Sequence, residues 1–316
     1  MDAYPLISVV TPSFNQGRFI DRCIRSVLGQ HYPHFEHIVY DNCSTDGTLD
    51  ILRRYPHLTW VSEPDRGQSH AVNKGFWRAH GEIIAWLNAD DAYEPGAFQI
   101  AARELRADAD VRAIAGRVQV VDAAGHVLRT STPNVATLDR MIEFWQRGFC
   151  LEQCGVLFRR EVLAQIGGLD ERLHYAMDYE FFLRLVASQP LKLVDAVLAR
   201  FTLQPESKTG RLRHSAAFVA ERERASAAWW GPRDTAQYRR RRREGRQHLA
   251  EHFANVILHA HRDRDVVDWG AVRNLIRLRP RRILDRHLFG VLVERSLGPA
   301  AAGYLRRAFV KLASPR

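Results

Sequence analysis

Four cysteines in 316 residues, at positions 23, 43, 150 and 154, are too few and too scattered for a disulfide framework. Cys150 and Cys154 have the spacing of half a zinc site, but no second pair completes it, so the thiols read as reduced and structural. No apolar run approaches the roughly 18 residues that span a bilayer. The first residues, Met1-Asp2-Ala3-Tyr4-Pro5, have neither the basic start nor the apolar core of a signal segment, and cytoplasmic residence is the expectation. No glycine-rich phosphate loop opens the N-terminal half, which counts against a nucleotidyltransferase of the usual kind. No array of aromatics accompanies the basic residues near the C-terminus, which makes nucleic acid an unlikely partner.

What is present is an ordinary globular composition, 46% hydrophobic and 26% charged, with an uneven distribution of charge. Residues 1–210 hold 22 Lys and Arg against 26 Asp and Glu; residues 211–316 hold 24 against 10. The net +10 therefore belongs to the C-terminal third, which points to an anionic partner for a separate segment. Two regions follow: 1–210, and a mainly helical, basic extension over 211–316.

Residues 1–210 alternate strand and helix. Ser8–Asn15 is apolar and ends in small polar residues. A helical face over 17–30 carries Ile20, Cys23, Ile24, Val27 and Leu28. Phe35–Asn42 is a second strand, and a helix over 46–55 should be capped by Ser44 or Thr45. Strand Leu58–Ser62, a helix over 68–80 and strand Ile83–Leu87 complete the pattern of a parallel sheet with helices on both faces. Ligands of such sheets bind beyond the C-terminal strand ends. There Ile83–Leu87 runs into Asn88-Ala89-Asp90-Asp91. Two carboxylates at a buried strand's end are costly unless a cation or hydrogen bonds compensate. They suit a divalent metal, Mg²⁺ or Mn²⁺; a turn in which Asp90 merely caps a helix is the alternative. A helix over 95–106, a hairpin through Asp122–Gly125, a helical and loop-like stretch 134–150, a strand over 152–158, a helix closed by Gly167-Gly168, and a strand over 193–201 follow.

Five words in this order resemble the family 2 glycosyltransferases: Thr11-Pro12-Ser13-Phe14-Asn15; Asp41 with Ser44-Thr45-Asp46-Gly47-Thr48; Asp65-Arg66-Gly67-Gln68; Asn73-Lys74-Gly75; and Asn88-Ala89-Asp90-Asp91. The resemblance covers residues 5–210 and implies a GT-A fold, a mostly parallel Rossmann-like α/β sheet. It implies an inverting, metal-dependent transfer of sugar from a nucleotide diphosphate, of UDP or dTDP type, to a glycan or lipid-linked acceptor. Thr11, Pro12, Ser13 and Asn15 would then line the nucleoside cleft, and Asp41 would contact the base. Asp65, Arg66, Gln68 and Asn73 would face the donor, with Arg66 on its phosphates. The family's frequent D-x-D triplet here begins with the amide Asn88, so Asp90 and Asp91 must carry the metal, with Asn88 and Asp90 beside the donor.

Met177-Asp178-Tyr179-Glu180 opens an apolar helix. A carboxylate at such a position can take the acceptor hydroxyl's proton. Asp178 is the expected base and Glu180 the alternative. Gln204 stands near where many relatives place a histidine; it contacts the diphosphate, or else the metal leans more heavily on Asp90 and Asp91. His248 and His252, four apart on a helix, read as a solvated face. From Val272 to Leu312 arginines interleave with apolar residues, the pattern of a helix seeking an anionic membrane surface or, equally, of a packing helix with a basic outer face. A nucleotide-sugar-binding protein without turnover is the remaining alternative.

Overall fold

A computed structural model describes residues 4–146, 149–204, 208, 216–230, 235–262 and 269–297. The chain divides into two compact units, Met1–Ser207 and Lys208–Arg316.

The first unit opens with the alternation expected from the sequence: β1 (Ile7–Ser13), α1 (Ile20–Leu28), β2 (Phe35–Asp41), α2 (Thr48–Leu52), β3 (Leu58–Ser62), α3 (Gln68–Arg78) and β4 (Ile83–Trp86). It continues through β5 (Ala92–Tyr93), α4 (Ala97–Ala107), β6 (Ala113–Val121), β7 (Val127–Ser131), α5 (Leu138–Ile142), β8 (Val156–Arg159), α6 (Glu161–Ile166), α7 (Met177–Ser188) and β9 (Lys192–Thr202). The strands form one sheet in the order β3-β2-β1-β4-β8-β6-β9-β5, with β7 on the side of β6. Strands β1 to β4 are mutually parallel, while β8 runs antiparallel to both β4 and β6. This is the expected α/β class, with its Rossmann-like half at the N-terminus.

Every residue of β1 and β4 is buried, which explains their unbroken apolar character. Ile7, Val9, Ile83, Ala85, Phe98, Ile114 and Leu157 share one core cluster; Ile20, Ile24, Val39 and Leu52 form a second. Helix α3 lies so close to β1 that a Cβ on Gly75 would stand 2.2 Å from a methyl of Val10. The glycine that follows Asn73-Lys74 is thus a packing requirement. Two expectations change. The N-cap of α2 is Gly47, at φ 89°, because Ser44 is drawn instead to Asp41. The strand over 152–158 starts as a 3-10 turn, Gln153–Gly155, before β8.

The second unit is helical: α8 (Ala216–Trp230), α9 (Ala236–Arg262), α10 (Trp269–Leu278), a 3-10 turn at Pro280–Leu284 and α11 (Arg286–Leu297). Helix α9 buries Leu249, Ala250, Phe253, Ala254 and Ile257, the spacing of one helical stripe. Helix α10 buries Ala271, Val272, Leu275 and Leu278. Of the apolar residues that read equally as membrane-seeking or as packing, Leu275, Leu278 and Leu288 are buried and Ile276 is exposed; the rest of that stretch, beyond 297, lies outside the described residues. His248 is exposed, and no group of three or more acids, histidines and cysteines placed to hold a metal assembles among the described residues. No helix among them is long and apolar enough to cross a membrane.

Within the sheet, Thr11 Oγ1 lies 2.9 Å from Nε2 of His37, both fully buried. Burial, and secondarily the neighbouring His57, push the His37 pKa down to about 3. The unfolded chain accepts this proton near pH 6.5 and the folded protein resists it. His37 therefore favours folding above that pH and opposes it increasingly as pH falls toward 3. Thermal unfolding should show stability declining over this window by up to about 1.4 kcal/mol per pH unit from this residue. The variant His37→Gln should flatten that decline, and an unchanged slope would refute the assignment.

Candidate functional site

Strand order turns outward at β1: β2 and β3 lie to one side of it and β4 to the other. In open α/β sheets this switch point leaves a crevice at the C-terminal strand ends. Pairing of β1 with β2 continues to Ser13, whereas pairing with β4 stops at Val10. Pro12, which has no N–H to give a second neighbour, stands just past that parting.

On the β1 side, the polar words fold onto one another. Asn15, in a left-handed conformation at φ 51°, accepts the Thr45 amide on Oδ1 (2.9 Å), and its own amide donates to Ser44 Oγ (2.7 Å). The Gln16 amide donates to Thr48 Oγ1 (3.0 Å) and the Gly17 amide to Asp46 Oδ2 (2.8 Å). Asp41, only 1% exposed, accepts the Ser44 amide, the Ser44 hydroxyl and the Ser62 hydroxyl at 2.9, 2.5 and 2.8 Å. Its register partner Ser13 has a buried hydroxyl with no hydrogen-bond partner among the described residues. Of this group Thr11 lies inside the sheet, on His37, rather than at the rim.

On the β4 side, Asn88 joins three side chains. Its Oδ1 accepts Gln68 Nε2 (2.8 Å) and Trp86 Nε1 (3.1 Å), and its Nδ2 donates to Gln153 (3.1 Å), which in turn donates to the Trp86 carbonyl. The next turn is bolted to the end of β9. The Thr202 amide donates to Asp91 Oδ1 (2.9 Å), the Thr202 hydroxyl to the Asp90 carbonyl (2.5 Å) and Gln204 Nε2 to Asp90 Oδ2 (2.7 Å). From below, Arg22 of α1 donates to the Asp90 carbonyl (3.0 Å) and the Thr202 hydroxyl (2.7 Å). Burial raises the Asp90 pKa, opposed by Gln204 and Arg22. Burial, then the charge on Asp90, raises that of Asp91 well above the usual range. Asp91 Oδ2 is buried without a hydrogen bond of ordinary geometry, although the Asn88 amide lies near enough to temper its charge.

The turn thus carries more negative character than its neighbours offset. Half-buried Asp90 and the unmatched oxygen of Asp91 are hard oxygen donors of the kind that could hold Mg²⁺ or Mn²⁺. Gln204 therefore acts on the Asp90 carboxylate.

A third loop closes the set. Asp65 Oδ1 accepts the Gly67 amide (2.7 Å), ordering the approach to α3. Arg66 pairs with Glu171 at 2.6 Å, and buried Asn73 accepts the Leu169 amide (2.7 Å) while donating to the Leu169 carbonyl (3.0 Å) and Glu171 (3.2 Å). A Cβ on Gly168 would stand 2.4 Å from Asn73 Oδ1. Against a burial that acts in the other direction, bonds from Arg66 and Asn73 hold the Glu171 pKa below the ordinary value. This loop leads into α7, whose first turn contains half-buried Asp178 with Oδ1 on the Tyr179 amide (2.7 Å). Glu180 is held by Arg184 in a two-pronged pair at 2.8 Å on each oxygen; Arg184 also caps the carbonyls of Ile166 and Gly168.

Arg22, Gln153, Glu171 and Thr202 are the participants that sequence reading missed. Nothing in its own stretch of sequence sets Arg22 apart from the other charges of its helix, and the other three lie 65 to 112 residues from their partners.

A switch-point crevice rimmed by hydroxyls and carboxylates, with a further carboxylate heading a nearby helix, defines an α/β enzyme domain suited to a nucleotide ligand. The chain belongs to glycosyl transferase family 2, whose pattern matches residues 8–167, just over half its length. It is 43% identical over 96 residues to a Bacillus subtilis (strain 168) protein provisionally named the teichuronic acid biosynthesis glycosyltransferase TuaG, covering 28% of this chain and 38% of that one. It is 24% identical over 217 residues to the chondroitin synthase of Escherichia coli, covering 64% of this chain but 30% of that enzyme. The chain thus spans well under two thirds of both. In fold it resembles S. aureus TarS 1-349 in complex with UDP-GlcNAc, at a TM-score of 0.61 and 18% identity, covering 98% of this chain and 93% of that one.

Asn73→Ala would remove both bonds to Leu169 and strand its amide. Urea unfolding should show a loss of roughly 2–4 kcal/mol. A loss below about 0.5 kcal/mol, the scale of a surface substitution, would reject the clamp.

Proposed function

We propose that this enzyme is an inverting glycosyltransferase that moves a sugar from a nucleotide diphosphate, of UDP type, to a hydroxyl of a growing glycan or lipid-linked glycan in cell-surface polysaccharide synthesis. The observation that carries the reading is the Asp90–Asp91 turn at the switch point, where acidic oxygens remain incompletely matched. Relatives named for teichuronic acid and chondroitin synthesis, and the UDP-GlcNAc bound in the TarS complex, support the donor and polymer class.

The nucleoside sits against the β1 and β2 loops, where the unmatched hydroxyl of Ser13 and the remaining acceptor capacity of Asp41 address base and ribose. Asn15 and Asp65 hold those loops in shape. Arg66, on an exposed side chain, faces the diphosphate, and the start of α3 adds its positive end. Asp90 and Asp91 would hold a divalent cation whose chemistry is to neutralise the leaving diphosphate. Asn88, Gln68 and Gln153 keep that turn in place without adding charge. Asp178 removes the proton of the acceptor hydroxyl as it attacks the anomeric carbon. Glu180 is the weaker candidate because both its oxygens are given to Arg184. One base and one displacement invert the anomeric centre, and no carboxylate nucleophile is required.

Two substitutions test the roles. Asp178→Asn keeps the shape but cannot accept a proton, and should lower transfer from UDP-sugars by about 10²–10⁴ with UDP affinity nearly unchanged. Loss with Glu180→Gln but not with Asp178→Asn would reassign the base. Asp90→Ala should remove any strengthening of UDP binding by Mn²⁺ while the melting temperature with no nucleotide stays near that of the parent. Metal-dependent UDP binding that survives the change would overturn the metal assignment. Pyrophosphate release in place of sugar transfer or UDP formation would indicate a nucleotidyltransferase; binding with neither product would indicate a protein without turnover.

A further inference from the structure

The second unit contains a cavity of about 560 Å³ lined by Arg239, Arg242, Arg243, Arg246, Gln247, Leu278 and Arg279. The four arginines of α9 stand at i, i+3, i+4 and i+7, so they share one helical face over about two turns, roughly 10 Å of axis. Arg279 joins them from just after α10. All five are exposed.

Like charges at this spacing repel, so such a cluster persists at a cost unless an anion relieves it. Three carboxylates of this unit are committed to other arginines: Glu244 to Arg240, Glu251 to Arg282 and Glu223 to Arg277. Arg242, Arg243 and Arg279 pair with no carboxylate among the described residues.

We propose that this cleft binds an anionic glycan, a segment of sugar chain bearing several carboxylate or phosphate groups. The guanidinium fork matches both groups in two-pronged fashion, and a row of forks matches a chain that repeats its charge. A bilayer would call for a flat face with apolar side chains to insert; this site is concave, and among the described residues Leu278 is the one apolar residue that lines it. A nucleic acid strand would call for stacking aromatics, and none of the described residues lining the cleft is aromatic. Identifying the occupant with the acceptor rests on the proposed glycosyl transfer; the binding itself does not.

Full-length protein titrated with hexagalacturonate at low salt should bind it, and should ignore the neutral maltohexaose. The triple variant Arg242→Gln/Arg243→Gln/Arg246→Gln should weaken binding at least about tenfold, because three charge-assisted contacts are lost together. Arg240→Gln/Arg273→Gln/Arg281→Gln, with the same change in net charge outside the cleft, should alter it less than about twofold, since exposed charges at a distance are screened. Arg242→Lys/Arg243→Lys/Arg246→Lys preserves charge and should bind at an intermediate level; it also stands in if the glutamine variant fails to fold. No binding by the parent protein, or equal weakening in both glutamine variants, would overturn the proposal. So would tighter binding, through the same arginines, of a twelve-residue oligothymidylate or of phosphatidylglycerol vesicles. Because the readout is affinity and not turnover, its failure is distinct from a failure of the proposed transfer activity.

Discussion

Two adjacent aspartates at the exit of a fully buried strand set the terms for the catalytic unit. The chain cannot leave Asp90 and Asp91 to water, and it does not neutralise them completely. It brings up β9 to supply an amide, a hydroxyl and a side-chain amide, and α1 to supply a guanidinium that binds the backbone beneath the turn. The donors with full charge are kept on the backbone side, while the carboxylates receive only neutral donors. Charge thus remains available at the crevice, and the fold spends hydrogen bonds on fixing where that charge sits.

The same economy explains why Asn88 stands where an acid is frequent in the family. Its amide both accepts and donates, so a single side chain can link Gln68, Trp86 and Gln153. A carboxylate could not donate to Gln153, and a third negative charge would add to a turn already raised in pKa by burial and by its own neighbour. Neutrality at 88 concentrates the acidic function in the two residues that follow.

Much of the sheet was legible because local pattern and global fold agree: buried parallel strands read as apolar runs, and amphipathic helices separate them. The polar words were legible as places, since they fall at strand ends, but only partly as roles. Asn73 and Thr11 show the difference. Both belong to words shared with the family, yet Asn73 clamps the loop at Leu169 and Thr11 meets His37 inside the sheet. A polar residue in a motif can be present because a neighbouring backbone must be satisfied, and nothing in its own stretch of sequence reveals which backbone that is. The C-terminal arginines posed the converse problem. Composition gave their charge, but only the turn after α10, placing Arg279 beside the face of α9, makes a cleft of them.

The bonds from Thr202 and Gln204 to the Asp90–Asp91 turn span 111 to 114 residues of chain. During synthesis, the parallel strands β1 to β4 can emerge and begin to pair long before β9 exists. The turn would then hold two carboxylates with most of their donors not yet made. Closing so long a loop is entropically expensive and slow relative to local pairing. The acidic centre is consequently among the last parts of the unit to acquire its final shape, and a nascent chain lacks a finished acidic turn until nearly all of that unit has been translated.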